Sequence, residues 1–231
     1  MSDAWQTRSR ALLGETAIKR LKKATVVVVG LGGVGSYAFE AIVRSGVGHI
    51  VAIDHETVEQ SNINRQLVAD TLTIGKPKVD VAKQHGLLVN PDAEIIALKA
   101  FLNHENVGEL IPREADVIID AIDSINAKTE LIQYAVKNDI PIISSMGTAN
   151  KTDPTQFVFG DIYQTSVDPL AKVMRKRLKD LGIKSLPVVY SKESPIKNEE
   201  GALGSVSFVP SACGLILAAK TIMFMINNEW S

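Results

Sequence analysis

Short runs of branched apolar residues alternate with stretches of helical periodicity through the first two-thirds of the chain. Val26–Val29 is an unbroken apolar run, as expected of a strand buried on both faces. A helical stretch follows from about Val34 to Ser45, then a second strand at His49–Ile53. Lys78–Val89 reads as a helix closed by Asn90-Pro91, and Glu94–Leu98 as a third strand. Asp116–Ala121 reads as a buried strand, Ile125–Asn138 as a helix and Ile140–Ser144 as another strand. Repeated β-α-β order predicts an α/β fold: a doubly wound, mainly parallel sheet covered on both faces. In such sheets a ligand sits beyond the carboxyl ends of the strands, where Gly30, Asp54 and Asp123 all fall.

The pattern changes after Pro154. Gln156–Ile162 alternates like a strand, Pro169–Leu181 is helical and basic, and Ser185–Ser205 reads as a loop long enough to be a lid or a substrate contact. A last helix, about Ser211–Ile226, is expected to pack back on the sheet. Its apolar stretch from Ala212 is interrupted by Lys220 and falls short of the roughly 20 apolar residues of a membrane span. No polar low-complexity linker separates the parts. A single domain is therefore expected over 1–231, with an N-terminal helical arm (1–24), a nucleotide-binding core (25–150) and a C-terminal antiparallel elaboration carrying the substrate region (151–231).

Composition narrows the setting. With 25 basic and 26 acidic residues the net charge is -1, so any contact with RNA must come from a local patch. The helix bearing Lys172, Arg175, Lys176, Arg177 and Lys179 is the evident patch, although its cations occupy more than one side. One cysteine excludes an intrachain disulfide. The start, Met1-Ser2-Asp3-Ala4-Trp5-Gln6, lacks the plan of a signal peptide, so a cytoplasmic protein with no membrane partner is expected.

The chemistry concentrates in four segments. Gly30, Gly32 and Gly35 fit G-x-G-x-x-G between a strand and a helix, and Asp54 ends the next strand 19 residues after Gly35. Bare glycine amides and a helix N-terminus suit phosphate, and the acid suits ribose hydroxyls. The fingerprint alone more commonly serves a dinucleotide cofactor. The run Val58-Glu59-Gln60-Ser61-Asn62-Ile63-Asn64-Arg65-Gln66, however, has no task in hydride transfer and is suited to a polyphosphate, with Arg65 neutralising charge and the amides fixing orientation. Lys78 opens a helix behind Pro77 and is expected to project toward the phosphates. Asp123 is expected to hold Mg2+, which takes oxygen ligands, while Asp120 is expected only to satisfy local backbone donors.

Together these segments resemble the ThiF/MoeB/HesA family, bacterial relatives of ubiquitin-activating enzymes. The matching pieces are Gly30-Leu31-Gly32-Gly33-Val34-Gly35, Asp54, Ser61-Asn62, Asn64-Arg65-Gln66, Lys78 and Asp123. The resemblance implies a Rossmann-like fold, Mg-ATP as cofactor and transfer of AMP to a carboxylate, with Arg65, Lys78 and Asp123 as the catalytic set. It also implies a homodimer in which an N-terminal arginine reaches the partner's ATP; Arg8 sits in the matching place, with Arg10 the alternative.

Within the family, Ala121-Ile122-Asp123-Ser124, Asp153-Pro154-Thr155-Gln156 and Asp168-Pro169-Leu170 are similar to the tRNA threonylcarbamoyladenosine dehydratases, as are Val188-Val189-Tyr190-Ser191 and Phe208-Val209-Pro210. That resemblance implies tRNA as substrate and closure of a threonylcarbamoyl side chain through an acyl-adenylate. It leaves a monovalent cation and a sulfur-transfer partner protein open. Three rivals stand beside it: adenylation of a ubiquitin-like sulfur carrier, a dinucleotide-binding oxidoreductase, and a non-catalytic nucleotide scaffold. With one cysteine, the paired Cys-x-x-Cys zinc site of many carrier-activating relatives cannot form, so no zinc is expected. Cys213 is expected in the core, and His49, His55, His85 and His104 show no metal spacing.

Overall fold

The computed structural model describes residues 3–197 and 203–230. Its strands are β1 (Thr25–Val29), β2 (His49–Ile53), β3 (Glu94–Leu98), β4 (Val117–Asp120), β5 (Ile142–Ser145), β6 (Phe157–Asp161) and β7 (Pro187–Ser191). They form one seven-stranded sheet in the order β3-β2-β1-β4-β5-β7-β6. Every neighbouring pair runs parallel except β6 and β7.

Among the described residues eight α-helices accompany the sheet: α1 (Thr7–Leu13), α2 (Glu15–Lys23), α3 (Gly35–Arg44), α4 (Lys78–Val89), α5 (Val107–Leu110), α6 (Ile125–Lys137), α7 (Pro169–Asp180) and α8 (Phe208–Asn227). The strand period of two decides which of them each valine of β1 meets. Val26 and Val28 join a core with Phe39 and Ile42 of α3 and Leu217 of α8. Val27 and Val29 join a second core with Leu131 of α6 and Met174 and Leu178 of α7. Both cores are apolar, which is why β1 reads as an unbroken apolar run instead of an alternating one.

Strand order reverses at β1, with β2 and β3 on one side and β4 onward on the other. The chain parts there. Gly30 N donates to Ile53 O on the β2 side at 2.8 Å, and Ala121 N donates to Val29 O on the β4 side at 2.8 Å. The crevice opened by such a switch is where open α/β sheets bind ligands.

Two expectations are corrected. The segment expected as the loop Ser185–Ser205 contains β7, whose Val188, Val189 and Tyr190 are buried. This apolar run is too short to display a period, and it fills the parallel position beside β5 while pairing antiparallel with β6. The C-terminal elaboration is therefore continuous with the main sheet. Residues 198–202 of that expected loop lie outside the described residues.

The last helix begins at Phe208, before the expected Ser211, because Pro210 is accommodated in the first turn, where its missing N–H costs no hydrogen bond. By length and composition α8 could cross a membrane. Its Val209, Cys213, Leu217, Ala218, Ile222 and Met225 instead lie in the core. Lys220, the interruption, places its ammonium 4.8 Å from the centroid of the Phe159 ring.

Candidate functional site

A cavity of about 820 Å³ opens at the switch, lined from one side by Gly30, Gly32 and Gly33 and from the other by Ala121–Ser124. The glycines are required for different reasons. Gly30 has φ +89°, and a Cβ there would lie 2.7 Å from Ala121 O. At Gly35 a Cβ would fall 1.7 Å from Gly30 O, so the turn cannot close around a side chain. Gly32 has no such constraint: the nearest atom to its Cβ would be Gln66 Nε2 at 3.9 Å. Its bareness serves the cavity, where a ligand can approach the backbone.

Asp54, expected at a ribose, first braces this turn. Its Oδ2 accepts from Leu31 N at 2.6 Å and its Oδ1 from Glu56 N at 2.8 Å. It is 8% exposed and lines the cavity, and each carboxylate oxygen keeps acceptor capacity for a hydroxyl.

The 58–66 run contains a short 3-10 turn, Gln60–Asn62, closed by a reciprocal cap in which Asn62 Oδ1 accepts from Glu59 N at 3.1 Å. Arg65 is aimed by its neighbours, its guanidinium donating to Ser61 O and to Asn64 Oδ1, each at 2.9 Å. Ser61, Asn62, Arg65 and Gln66 line the cavity; Asn64 does not, and instead donates to Ser205 O at 3.0 Å. Gln66 is 7% exposed, and its Oε1 meets no hydrogen-bond donor among the described residues. A buried amide oxygen in that condition invites a donor from a ligand.

Lys78 lies elsewhere than expected. It opens α4 but is buried, and its ammonium is ion-paired with Glu56 outside the cavity lining. Glu56 does line the cavity, and the hydrogen bond from Lys78 holds its carboxyl below the usual range. Thus Lys78 reaches the cavity through a carboxylate. Arg8, on α1, is exposed and outside the lining of a single chain.

At the end of β4 the two acids divide. Asp123 is exposed at the cavity. Asp120 is wholly buried and does more than the expected local bonding: besides accepting from Ile122 N at 3.1 Å, its carboxylate holds Lys128 Nζ at 2.7 Å. Lys128 also donates to Ser145 O at 3.1 Å. A second buried pair lines the cavity, Lys151 Nζ to Asp168 Oδ2 at 2.8 Å, with Lys151 also donating to Gly147 O at 2.5 Å. Asp168 Oδ1 caps α7 by accepting from Ala171 N at 2.8 Å. Sequence reasoning missed both lysines; the available signal was Lys128 inside the apolar face of α6, eight residues after a strand-end acid.

His55 lines the cavity edge-on to Phe101, with ring centroids 5.0 Å apart. His49 and His85 face Glu94 and Glu40 at 3.2 and 2.9 Å. No group of three or more His, Cys, Asp or Glu side chains is placed to hold a metal among the described residues. Cys213 is wholly buried, and burial pushes its thiol up to about 12, leaving no thiolate at neutral pH.

Bare amides, one aimed guanidinium and the exposed carboxylate of Asp123 suit a polyphosphate carrying Mg2+, which commonly takes one or two carboxylates and completes its shell with phosphates and water. The ThiF family model matches residues 6–230. The chain is 42% identical over 240 residues to the tRNA threonylcarbamoyladenosine dehydratase of Bacillus subtilis (strain 168), covering 96% of this chain and 94% of that protein. It superposes on the crystal structure of E. coli tRNA N6-threonylcarbamoyladenosine dehydratase, TcdA, in complex with ATP with a TM-score of 0.93, at 33% identity, covering 98% of this chain and 97% of that one. The complex of the same enzyme with AMP gives the same values.

Proposed function

The chain belongs to the ThiF family, and from that premise we propose that it is an ATP-dependent tRNA threonylcarbamoyladenosine dehydratase. One observation carries the reading: a single cavity is lined both by the glycine turn and by residues 145–151 and 168–170, giving room for a nucleotide and for a carboxylate beside it.

The chain's residues take the following parts. The amides around Gly32 and the Arg65 guanidinium hold the phosphates, and Asp54 holds the ribose. Ser61, Asn62 and Gln66 fix the orientation, with Asn64 aiming Arg65. Asp123 carries Mg2+, which when bound offsets charge on the phosphate oxygens. Lys78 acts from behind Glu56. The threonyl carboxylate attacks the α-phosphorus and pyrophosphate leaves. A nitrogen of the adjacent carbamoyl unit then attacks the activated carbonyl, AMP departs with the bonding electrons, and the nitrogen releases its proton to solvent. The net change is loss of one water from the nucleoside. Attack within one molecule gains effective molarities of about 10⁵ M and above, so no protein nucleophile is required. The buried, protonated Cys213 accords with a route that avoids a thioester, which speaks against acyl transfer from a carrier protein.

The active unit is a homodimer in which Arg8 reaches the partner's nucleotide, and a cytoplasmic setting suits an enzyme acting on tRNA. The test is direct. Protein, Mg-ATP and tRNA bearing the threonylcarbamoyl group are incubated, the tRNA is digested and the nucleoside weighed. Loss of one water mass is expected; an unchanged mass overturns the assignment.

A further inference from the structure

We propose that the outward face of α7 is the docking surface for the RNA backbone of the substrate, with Lys172, Lys176 and Lys179 as the phosphate-binding residues. The inference rests on the tRNA reading above and adds the surface that reading lacks.

Five of the twelve residues of α7 are cationic, in a chain of net charge -1, and the helix separates them by role. Ala171, Met174 and Leu178 are buried beneath it. Arg175 and Arg177 are engaged by the protein: Arg175 donates to Thr165 O at 2.9 Å, and Arg177 to Asn126 Oδ1 at 2.7 Å. Lys172, Lys176 and Lys179 are exposed, and their spacing of four and then three residues sets them in one row opposite the buried side. The row runs for roughly 10 Å along the axis at ~1.5 Å per residue. Asp180, beyond its end, is the helix's one acid.

The row adjoins the cavity. Pro169 and Val173, beside Lys172 and Lys176 on the helical surface, line the same cavity as Gly32 and Asp123. Asp168 fixes the start of the helix through its cap and its ion pair with Lys151, so the lysines hold a set position relative to the cavity. Cations in a row, rather than a pocket, suit an extended polyanion whose reacting nucleoside turns inward. Lysines engage phosphate as point charges, so the surface supplies affinity and position without reading sequence.

The test measures binding separately from turnover. The triple variant Lys172→Ala/Lys176→Ala/Lys179→Ala and a charge-matched control, Lys19→Ala/Lys22→Ala/Lys23→Ala on α2, are titrated with tRNA over a range of salt and with ATP. The α7 variant should bind tRNA at least about tenfold more weakly, with the log–log salt slope reduced by roughly 0.7 for each phosphate that is no longer neutralised. Its ATP affinity should match the wild type, and the control should bind tRNA normally. Unchanged tRNA affinity and salt slope in the α7 variant overturn the proposal, as does an equal loss in the control. Selective loss of an acidic ubiquitin-like carrier instead of tRNA also overturns it. A wild-type protein that binds tRNA through α7 yet removes no water sinks the dehydratase reading alone.

Discussion

The Lys78 ammonium is ion-paired with the Glu56 carboxylate at the edge of the cavity. The cation is buried while the acid is half exposed, so the pair presents a carboxylate, rather than an ammonium, to the site. Lys78→Ala removes the positive charge and leaves Glu56 facing the phosphates unopposed. Substrate-dependent pyrophosphate release should fall by about 10²-fold, the scale for losing one charge-stabilising donor, with little change in circular dichroism. The pH dependence has a definite sign. Because the Glu56 carboxyl is depressed from its ordinary 4.5, the pair's contribution to stability is present above that value and lost as pH falls through the depressed one. Thermal melts of Glu56→Gln and wild type should therefore differ at neutral pH and converge in acid.

Two glycines of one fingerprint should fail in opposite ways. Gly35→Ala places a methyl group against Gly30 O and should cost about 1–3 kcal/mol of stability, seen in urea unfolding. Gly32→Ala has space within the protein, so its melting temperature should stay at the wild-type value. Its KM for ATP should instead rise by tenfold or more, about 1.4 kcal/mol of weakened binding. A destabilised Gly32→Ala with normal KM would refute the division of roles.

The wholly buried Asp120–Lys128 pair makes a structural prediction. Lys128→Met leaves an uncompensated buried carboxylate and should destabilise by about 3–5 kcal/mol. Adding Asp120→Asn should recover much of that loss, since it removes the stranded charge. Chemical denaturation of the two variants measures the difference, and equal instability of the single and double variants would show that the charge is not the cause.

Arg8 lies outside the cavity lining of its own chain, so a role in catalysis requires a second copy. In the proposed homodimer, Arg8→Ala and Asp123→Ala proteins should each be nearly inactive. Mixed dimers combine one intact site with one doubly altered site, and should recover a substantial part of the wild-type pyrophosphate release. Absence of recovery in verified mixed dimers removes Arg8 from the site.

Elements whose period or boundary is written in adjacent residues are legible in the sequence. The valines of β1, the glycine spacing and Asp54 place the crevice, because strand ends and tight turns are local properties. β7 escapes such a reading because Val188–Tyr190 is too short to show a period, and its strand character comes from the position beside β5 that it fills. Asp120, Lys128, Lys151 and Asp168 illustrate the same limit in polar form. A buried lysine and an exposed one look alike in sequence until the fold supplies a partner, here 8 residues away for Lys128 and 17 for Lys151. The placing of Lys78 at the opening of a helix is a local matter, but its direction depends on Glu56, 22 residues earlier.

The start of α8 bears directly on the glycine turn. A Cβ on Gly33 would lie 3.1 Å from Pro210, and one on Gly214 would lie 2.2 Å from Val34 O, so α8 and the turn are fitted to each other at close range. The turn at 30–35 and the helix start at Phe208 stand far apart in the sequence. The shape of the nucleotide loop therefore depends on a remote segment, and a variant cut before Phe208 would carry the fingerprint in full without its seat.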